Sequence, residues 1–426
     1  MTYQECSKEE LSSLLEKTQS AYEALKAKGM KLDMSRGKPS EEQLNFSNGM
    51  FDLFTSSTDF KDENGVDVRN YGNLDAMPEA NRLFAGLLGV GEDEVIVGGS
   101  SSLTLMHDAI SRAVTNGVLG GRPWGECKDR KWLCPVPGYD RHFDITEFFG
   151  FEMINIEMDK NGPDIAKIEE LVCSDPSIKG IWCVPQYSNP GGVTYSDEVV
   201  RRLAALKPAA PDFRIFWDNA YCVHDIYPEQ KERVLDILSE CKRAGNPNMV
   251  YLFGSTSKIT FPGSGVGAMG ASVENIRFIK SQMTVPVISW NKVNMLMHVR
   301  FFKDKAGIDA HMLRHAASVR PKFEAVENTL TRELGGKGIA QWSHPKGGYF
   351  VSVDLMDGCA KRTYTLCKEA GVALTDVGAT YPYFNDPRDR NLRLAPTYPT
   401  LENLQAALDI FCVAAQLACL EKLLAQ

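Results

Sequence analysis

The chain has 426 residues, 43% of them hydrophobic and 24% charged, with 35 glycines and 21 prolines. This is a globular composition rather than a disordered or fibrous one, and the length predicts two domains. A formal net charge of −8 offers no broad basic surface, which argues against nucleic-acid binding.

Residues 8–29 read as a helix capped by Ser7, with Glu9 and Glu10 in its first turn and Leu11, Leu15, Tyr22 and Leu25 on one face. No basic patch precedes an apolar run here, so no secretory signal is expected. Residues 35–47 read as irregular. A helix is predicted over 79–88, a strand over 94–97, and a helix over 103–114, the last entered through Gly98-Gly99-Ser100-Ser101-Ser102. Short apolar strands then recur at 131–135, 151–156, 180–184, 214–217 and 249–253. Crossovers between brief strands predict a mostly parallel α/β sheet. After about residue 308 long helices dominate, with strands at 347–353 and 391–394, which predicts a smaller α+β domain.

The most apolar stretch, 404–424, is interrupted by Asp409, Gln416, Glu421 and Lys422. Leu404, Leu408 and Phe411 recur in it at helical spacing, so an amphipathic packed helix is expected rather than a membrane span. The eleven cysteines are scattered, without a C-x-x-C pair, and the seven histidines lie apart in sequence. Reduced thiols in a cytoplasmic protein are expected, with no disulfide framework and no metal centre.

In such a sheet the chemistry belongs at strand C-termini. Asn189, Asp218, Ser255 and Lys258 each follow a predicted strand. Lys258 lies in Gly254-Ser255-Thr256-Ser257-Lys258, and the G-x-x-x-x-G-K-[ST] spacing of a phosphate loop is absent. The bland reading of Lys258 is a solvated surface lysine. Its place among small residues after a buried strand favours covalent capture of an aldehyde, which needs an amine able to lose its proton. Asp218 is open to three readings: a metal ligand, a helix cap, or a carboxylate that keeps a ring nitrogen protonated.

The ordered set Asn189, Asp218, Tyr221, Ser255 and Lys258 resembles fold-type I pyridoxal-phosphate enzymes of the class I aminotransferases. Three stretches bring it nearest to a divergent bacterial aspartate aminotransferase branch: Met34-Ser35-Arg36-Gly37-Lys38-Pro39, Ser255-Thr256-Ser257-Lys258-Ile259-Thr260 and Gly378-Ala379-Thr380-Tyr381-Pro382-Tyr383. The resemblance implies a seven-stranded-type, mostly parallel large domain over 49–310. It implies a small domain built from 1–48, the N-terminal helix and substrate-side loop, and from 311–426.

The resemblance also implies residue roles. Lys258 would bond the cofactor aldehyde and shuttle the α-proton, with Asp218 on the pyridine nitrogen. Asn189 and Tyr221 would bond the ring's phenolic oxygen, and Tyr139 would stack on the ring. Ser100, Ser101, Ser102 and Ser255 would hold the phosphate, with a helix N-terminus assisting. Tyr71 would reach the phosphate of a neighbouring subunit, implying a homodimer with interfacial active sites. Arg393 would clamp the substrate α-carboxylate with a bidentate fork, beside Gly37 and Asn189.

The chain departs from the family at one point. Gly265 stands where the family carries a phosphate-binding arginine, just before Val266-Gly267. The implied activity is amino transfer from L-aspartate to 2-oxoglutarate, with Arg36, Lys38, Arg141 and Arg320 as candidates for the distal carboxylate. The rival readings are another amino donor, a β-lyase of the same fold, and a ligand-sensing protein on an aminotransferase-like domain.

Overall fold

The structure is a computed structural model and describes residues 2–72 and 74–425. Its strands are β1 Leu32–Asp33, β2 Val95–Val97, β3 Lys131–Val136, β4 Glu152–Asp159, β5 Gly162–Pro163, β6 Ile178–Cys183, β7 Arg214–Asp218, β8 Val250–Ser255, β9 Gly267–Gly270, β10 Ala340–Trp342, β11 Val351–Leu355, β12 Val372–Ala373 and β13 Asn391–Leu394.

The large sheet has the order β2-β9-β8-β7-β6-β3-β4-β5. Strands β3, β4, β6, β7 and β8 run parallel, and β9 is antiparallel to both its neighbours. Seven strands were expected, and the eighth is the two-residue edge strand β5. Strands β6, β7 and β8 are buried along their lengths apart from Ser255, as a sheet covered on both faces requires. Alternation then sorts their side chains. Trp132, Trp182, Phe216 and Phe253 join one apolar cluster; Leu133, Ile181, Ile215 and Trp217 join the other.

A second sheet, β10-β11-β13, is antiparallel, and β1 pairs with β12. Gly347 to Phe350, expected to start a strand, lie outside it; β11 begins at Val351. One core cluster joins the two ends of the chain, with Tyr3, Leu11, Tyr22 and Met34 packed among Val319 to Leu420. The helix Lys305–Leu334 serves two clusters. Ile308 and Met312 pack with Phe84 and Met295, while Val319 to Leu334 pack with the chain ends.

The helix Leu401–Leu424 corrects the amphipathic expectation. Consecutive residues Ile410, Phe411 and Cys412 are all buried, because the helices Lys8–Lys26, Lys305–Leu334 and Ala360–Glu369 surround it. No described helix is long and apolar enough to cross a membrane.

The N-terminal helix has a reciprocal cap: Glu10 N donates to Ser7 Oγ at 3.2 Å, and Ser7 N donates to Glu10 Oε2 at 2.7 Å. The same device corrects the irregular reading of 35–47. Ser40 and Gln43 cap a short helix, Glu41–Asn45.

Candidate active site

Strands β6, β7 and β8 are neighbours and parallel, so their C-terminal ends share one edge of the sheet. Asp218 ends β7 opposite Phe253, Lys258 follows β8 by three residues, and Asn189 follows β6 by six. Gly37, Tyr139, Asn189, Tyr221, Lys258 and Arg393 line one cavity of about 630 Å³. That volume suits a small-molecule ligand.

Asp218 is 3% exposed. Its Oδ2 lies 3.0 Å from His142 Nε2, while its Oδ1 is buried without a hydrogen-bond partner among the described residues. His142 is stacked on Trp182 at 4.2 Å and 8°, and Trp182 Nε1 donates to Thr146 Oγ1 at 2.7 Å. Lys258 Nζ lies 5.0 Å from the Tyr221 ring centroid and has no hydrogen-bond partner among the described residues. Burial holds its amine below the usual lysine range; Asp218 opposes this and Arg393 adds to it. Burial, with Tyr139 and Asp218 nearby, pushes the Tyr221 hydroxyl far above the usual tyrosine range, so it remains a donor.

Arg393 enters from β13 and is buried. Nη1 donates to Asn189 Oδ1 at 3.1 Å and Asp140 Oδ1 at 3.2 Å, and Nε to Thr375 Oγ1 at 3.3 Å. Its guanidinium lies 4.7 Å from the Phe350 ring centroid. Gly37 is needed beside that ring, since an added Cβ would stand 2.3 Å from Phe350 Cζ.

The serines divide by use. Ser101 Oγ caps the helix Ser102–Asn116, accepting from Thr104 N at 3.3 Å. Ser100 precedes that cap and Ser102 opens the helix. Ser255 Oγ donates to Ser257 Oγ at 3.0 Å. A Cβ on Gly265 would stand 2.6 Å from the Ser100 carbonyl oxygen and 3.1 Å from Ser257 Oγ. The position of the family arginine is thus closed by backbone, with the hydroxyl of Ser257 beside it.

Tyr71 is not brought to this cavity; it is 79% exposed on the surface. Among the distal-carboxylate candidates, Arg36, Lys38 and Arg141 line the cavity, but Arg320 does not. Arg320 is paired with Glu229 at 2.9 Å and Glu324 at 3.0 Å.

Sequence reasoning did not assign His142, Asp140, Thr375 or Phe350. His142 and Asp140 carried the better signal, lying within one helical turn of Tyr139.

These residues fit pyridoxal phosphate on three features of the structure. Among the described residues a buried carboxylate oxygen and a lysine amine each lack a hydrogen-bond partner, and hydroxyls gather at a helix start. The model of the family "Aspartate amino-transferase" matches residues 6–426. The aspartate aminotransferase of Corynebacterium glutamicum is 47% identical over 401 residues, covering 94% of this chain and 92% of that one. The crystal structure of an aspartate transaminase from the same organism superposes with a TM-score of 0.96 at 45% identity, over 99% of each chain. The α-aminoadipate aminotransferase of Thermus thermophilus, solved with N-(5′-phosphopyridoxyl)-L-leucine, shares the fold, with a TM-score of 0.70 and 20% identity over 92% of this chain and 93% of that one. The chain belongs to the aspartate amino-transferase family and is a fold-type I, pyridoxal-phosphate-dependent aminotransferase.

Proposed function

We propose that the protein transfers the amino group of L-aspartate to 2-oxoglutarate; its relative in Corynebacterium glutamicum is named an aspartate aminotransferase. The observation that carries the reading is the meeting of Lys258 and Arg393 in one cavity, with three further cations, Arg36, Lys38 and Arg141, in its wall and the buried Asp218 carboxylate close enough behind it to act on the Lys258 amine. Pyridoxal phosphate, when bound, supplies an aldehyde to carry the amino group and a ring to take up electron density from Cα.

Lys258 contributes the amine, and its depressed pKa enlarges the neutral fraction that can take the substrate Cα proton and return it. The free Asp218 Oδ1 would hold a proton on the ring nitrogen, while His142 fixes the other oxygen. Asn189 and the protonated Tyr221 offer hydrogen bonds to the ring oxygen, and Tyr139 covers the ring. Ser100, Ser102, Ser255 and Ser257 would receive the phosphate. Arg393 would orient the α-carboxylate, fixing the Cα proton relative to Lys258.

A division into 49–310 and the joined segments 1–48 and 311–426 agrees with the shared core of the chain ends. A homodimer is supported by the surface around Tyr71. Val285 and Ile288 are also exposed, and Lys292 Nζ and Ser289 Oγ both donate to the Gly72 carbonyl, at 2.9 Å and 3.4 Å. A second copy covering this face would receive Tyr71 at its own phosphate.

Cofactor-loaded protein given L-aspartate and 2-oxoglutarate should yield oxaloacetate and glutamate in equal amounts. Pyruvate, ammonia and a released thiol from an S-substituted L-cysteine, with no amino transfer from L-aspartate, would make it a β-lyase and end this reading.

A further inference from the structure

The clamp arginine already holds an anion. Arg393 has a side chain 6% exposed, and its Nη1 is shared between the neutral Asn189 amide oxygen and the carboxylate of Asp140. Thr375 takes Nε, also as a neutral acceptor. Asp140 is therefore the charged partner of a guanidinium that would otherwise lie buried and uncompensated, an arrangement costly to a folded protein. Asp140 itself is less confined, with a side chain 24% exposed, and it lines the cavity. It is the first residue of the helix Asp140–Phe148, directly after Tyr139. At that position a carboxylate is favoured by the helix N-terminus wherever it turns. Cationic Arg36, Lys38 and Arg141 line the same cavity.

We propose that Asp140 is a resident counter-ion of Arg393, which an incoming substrate carboxylate replaces. The inference rests on Arg393 as the carboxylate clamp. Two carboxylates crowding one guanidinium edge repel each other, so the substrate anion and Asp140 exchange rather than add. The exchange keeps the empty site neutralised, and it subtracts from the affinity of every carboxylate that binds. Product release gains by the same amount, because Asp140 returns as the product leaves. Asn189 and Thr375 carry no charge, remain in place, and hold the guanidinium plane through the exchange.

The test is calorimetric titration of cofactor-loaded protein with succinate, a dicarboxylate that cannot react. Asp140→Asn should bind succinate about tenfold more tightly than the unaltered protein, with Asp140→Ser changing in the same direction. Without succinate the Asp140→Asn protein should melt at a lower temperature, and saturating succinate should raise its Tm by more than it raises that of the unaltered protein. A purely structural Asp140 would lower Tm without tightening succinate. Unchanged or weaker succinate binding in both variants overturns the proposal. Arg393→Lys separates the two readings. If it weakens succinate binding while the Asp140 variants fail to tighten it, only the counter-ion role falls. If Arg393→Lys binds succinate as before, the clamp assignment falls and the counter-ion role with it.

Discussion

In the buried floor behind Lys258 and Tyr221, outside the cavity lining itself, Asp218 and His142 stand 3.0 Å apart, each almost wholly buried; at the cavity rim Arg141 and Asp144 pair at the same 3.0 Å with side chains 51% and 40% exposed. The distances match and the physics differs. Water screens the rim pair and leaves it worth little, so either partner can leave it for a ligand. The floor pair lies in a dry setting, stacked on Trp182, where a charge keeps its direction and strength. Asp218 ends β7, a strand packed on both faces, and His142 sits on the buried face of the helix Asp140–Phe148. The rim groups Arg36 and Lys38 sit on the substrate-side loop, and Arg141 and Asp144 on the less buried face of that same helix. On the proposed roles, chemistry would belong to the buried part and choice of substrate to the exposed part.

Substitutions at the floor should cost turnover. Lys258→Ala should lower kcat by at least about 1,000-fold, since it removes both the amine and the proton carrier. The protein should keep its fold and still bind succinate, as circular dichroism and calorimetry would record. Rim substitutions should cost affinity instead. Arg36→Gln and Arg141→Gln should each raise KM for L-aspartate by up to about tenfold, with kcat within about twofold, and leave KM for L-alanine unchanged. A rim variant that lost kcat and spared KM would erase the distinction.

The smallest effect lies beneath the floor. His224 Nε2 and Tyr349 Oη both lie 3.3 Å from the Lys258 carbonyl oxygen, and Gln43 Nε2 donates to Tyr349 Oη at 3.1 Å. Gln43 also lies 3.1 Å from His315, which lies 3.1 Å from His311. Burial lowers His224 and His315 to about 3 and His298 to about 4 from 6.5, and lowers His311 as well. Between those values and 6.5 the unfolded chain binds more protons than the folded one. Stability therefore falls as pH falls through this window. Denaturant unfolding at pH 6.5 and at roughly pH 5 should show a smaller acid loss in His315→Gln than in the unaltered protein. An equal loss would mean that His315 is already charged in the fold.

Much of the floor was legible in the sequence because it rests on buried apolar runs that end in polar residues. Ile181-Trp182-Cys183, Ile215-Phe216-Trp217 and Tyr251-Leu252-Phe253 announce β6, β7 and β8 without help from their neighbours. Strand β9, Gly-Ala-Met-Gly, carries no such pattern. Its small residues are required by close approach, since a Cβ on Gly267 would stand 2.9 Å from the carbonyl oxygens of Gly98 and Ser101. Pairings between distant segments were equally silent. Nothing local joins Asp140 to Arg393, or His224 to His315. The histidines that lie apart in sequence meet because the helix Lys305–Leu334 crosses behind the Lys258 loop. The closed position at Gly265 was visible as a departure, and only the Ser100 carbonyl explains it.

On the proposed mechanism Lys258, just past the strand that neighbours the one ending in Asp218, moves the substrate Cα proton. Proton nuclear magnetic resonance in deuterium oxide tests it directly, by following the loss of the Cα signal of L-aspartate on cofactor-loaded protein without a 2-oxo acid. Washout should be catalytic with Lys258 present, slower by at least about 1,000-fold in Lys258→Ala, and partly restored there by added methylamine. Washout at an undiminished rate in Lys258→Ala would contradict the account.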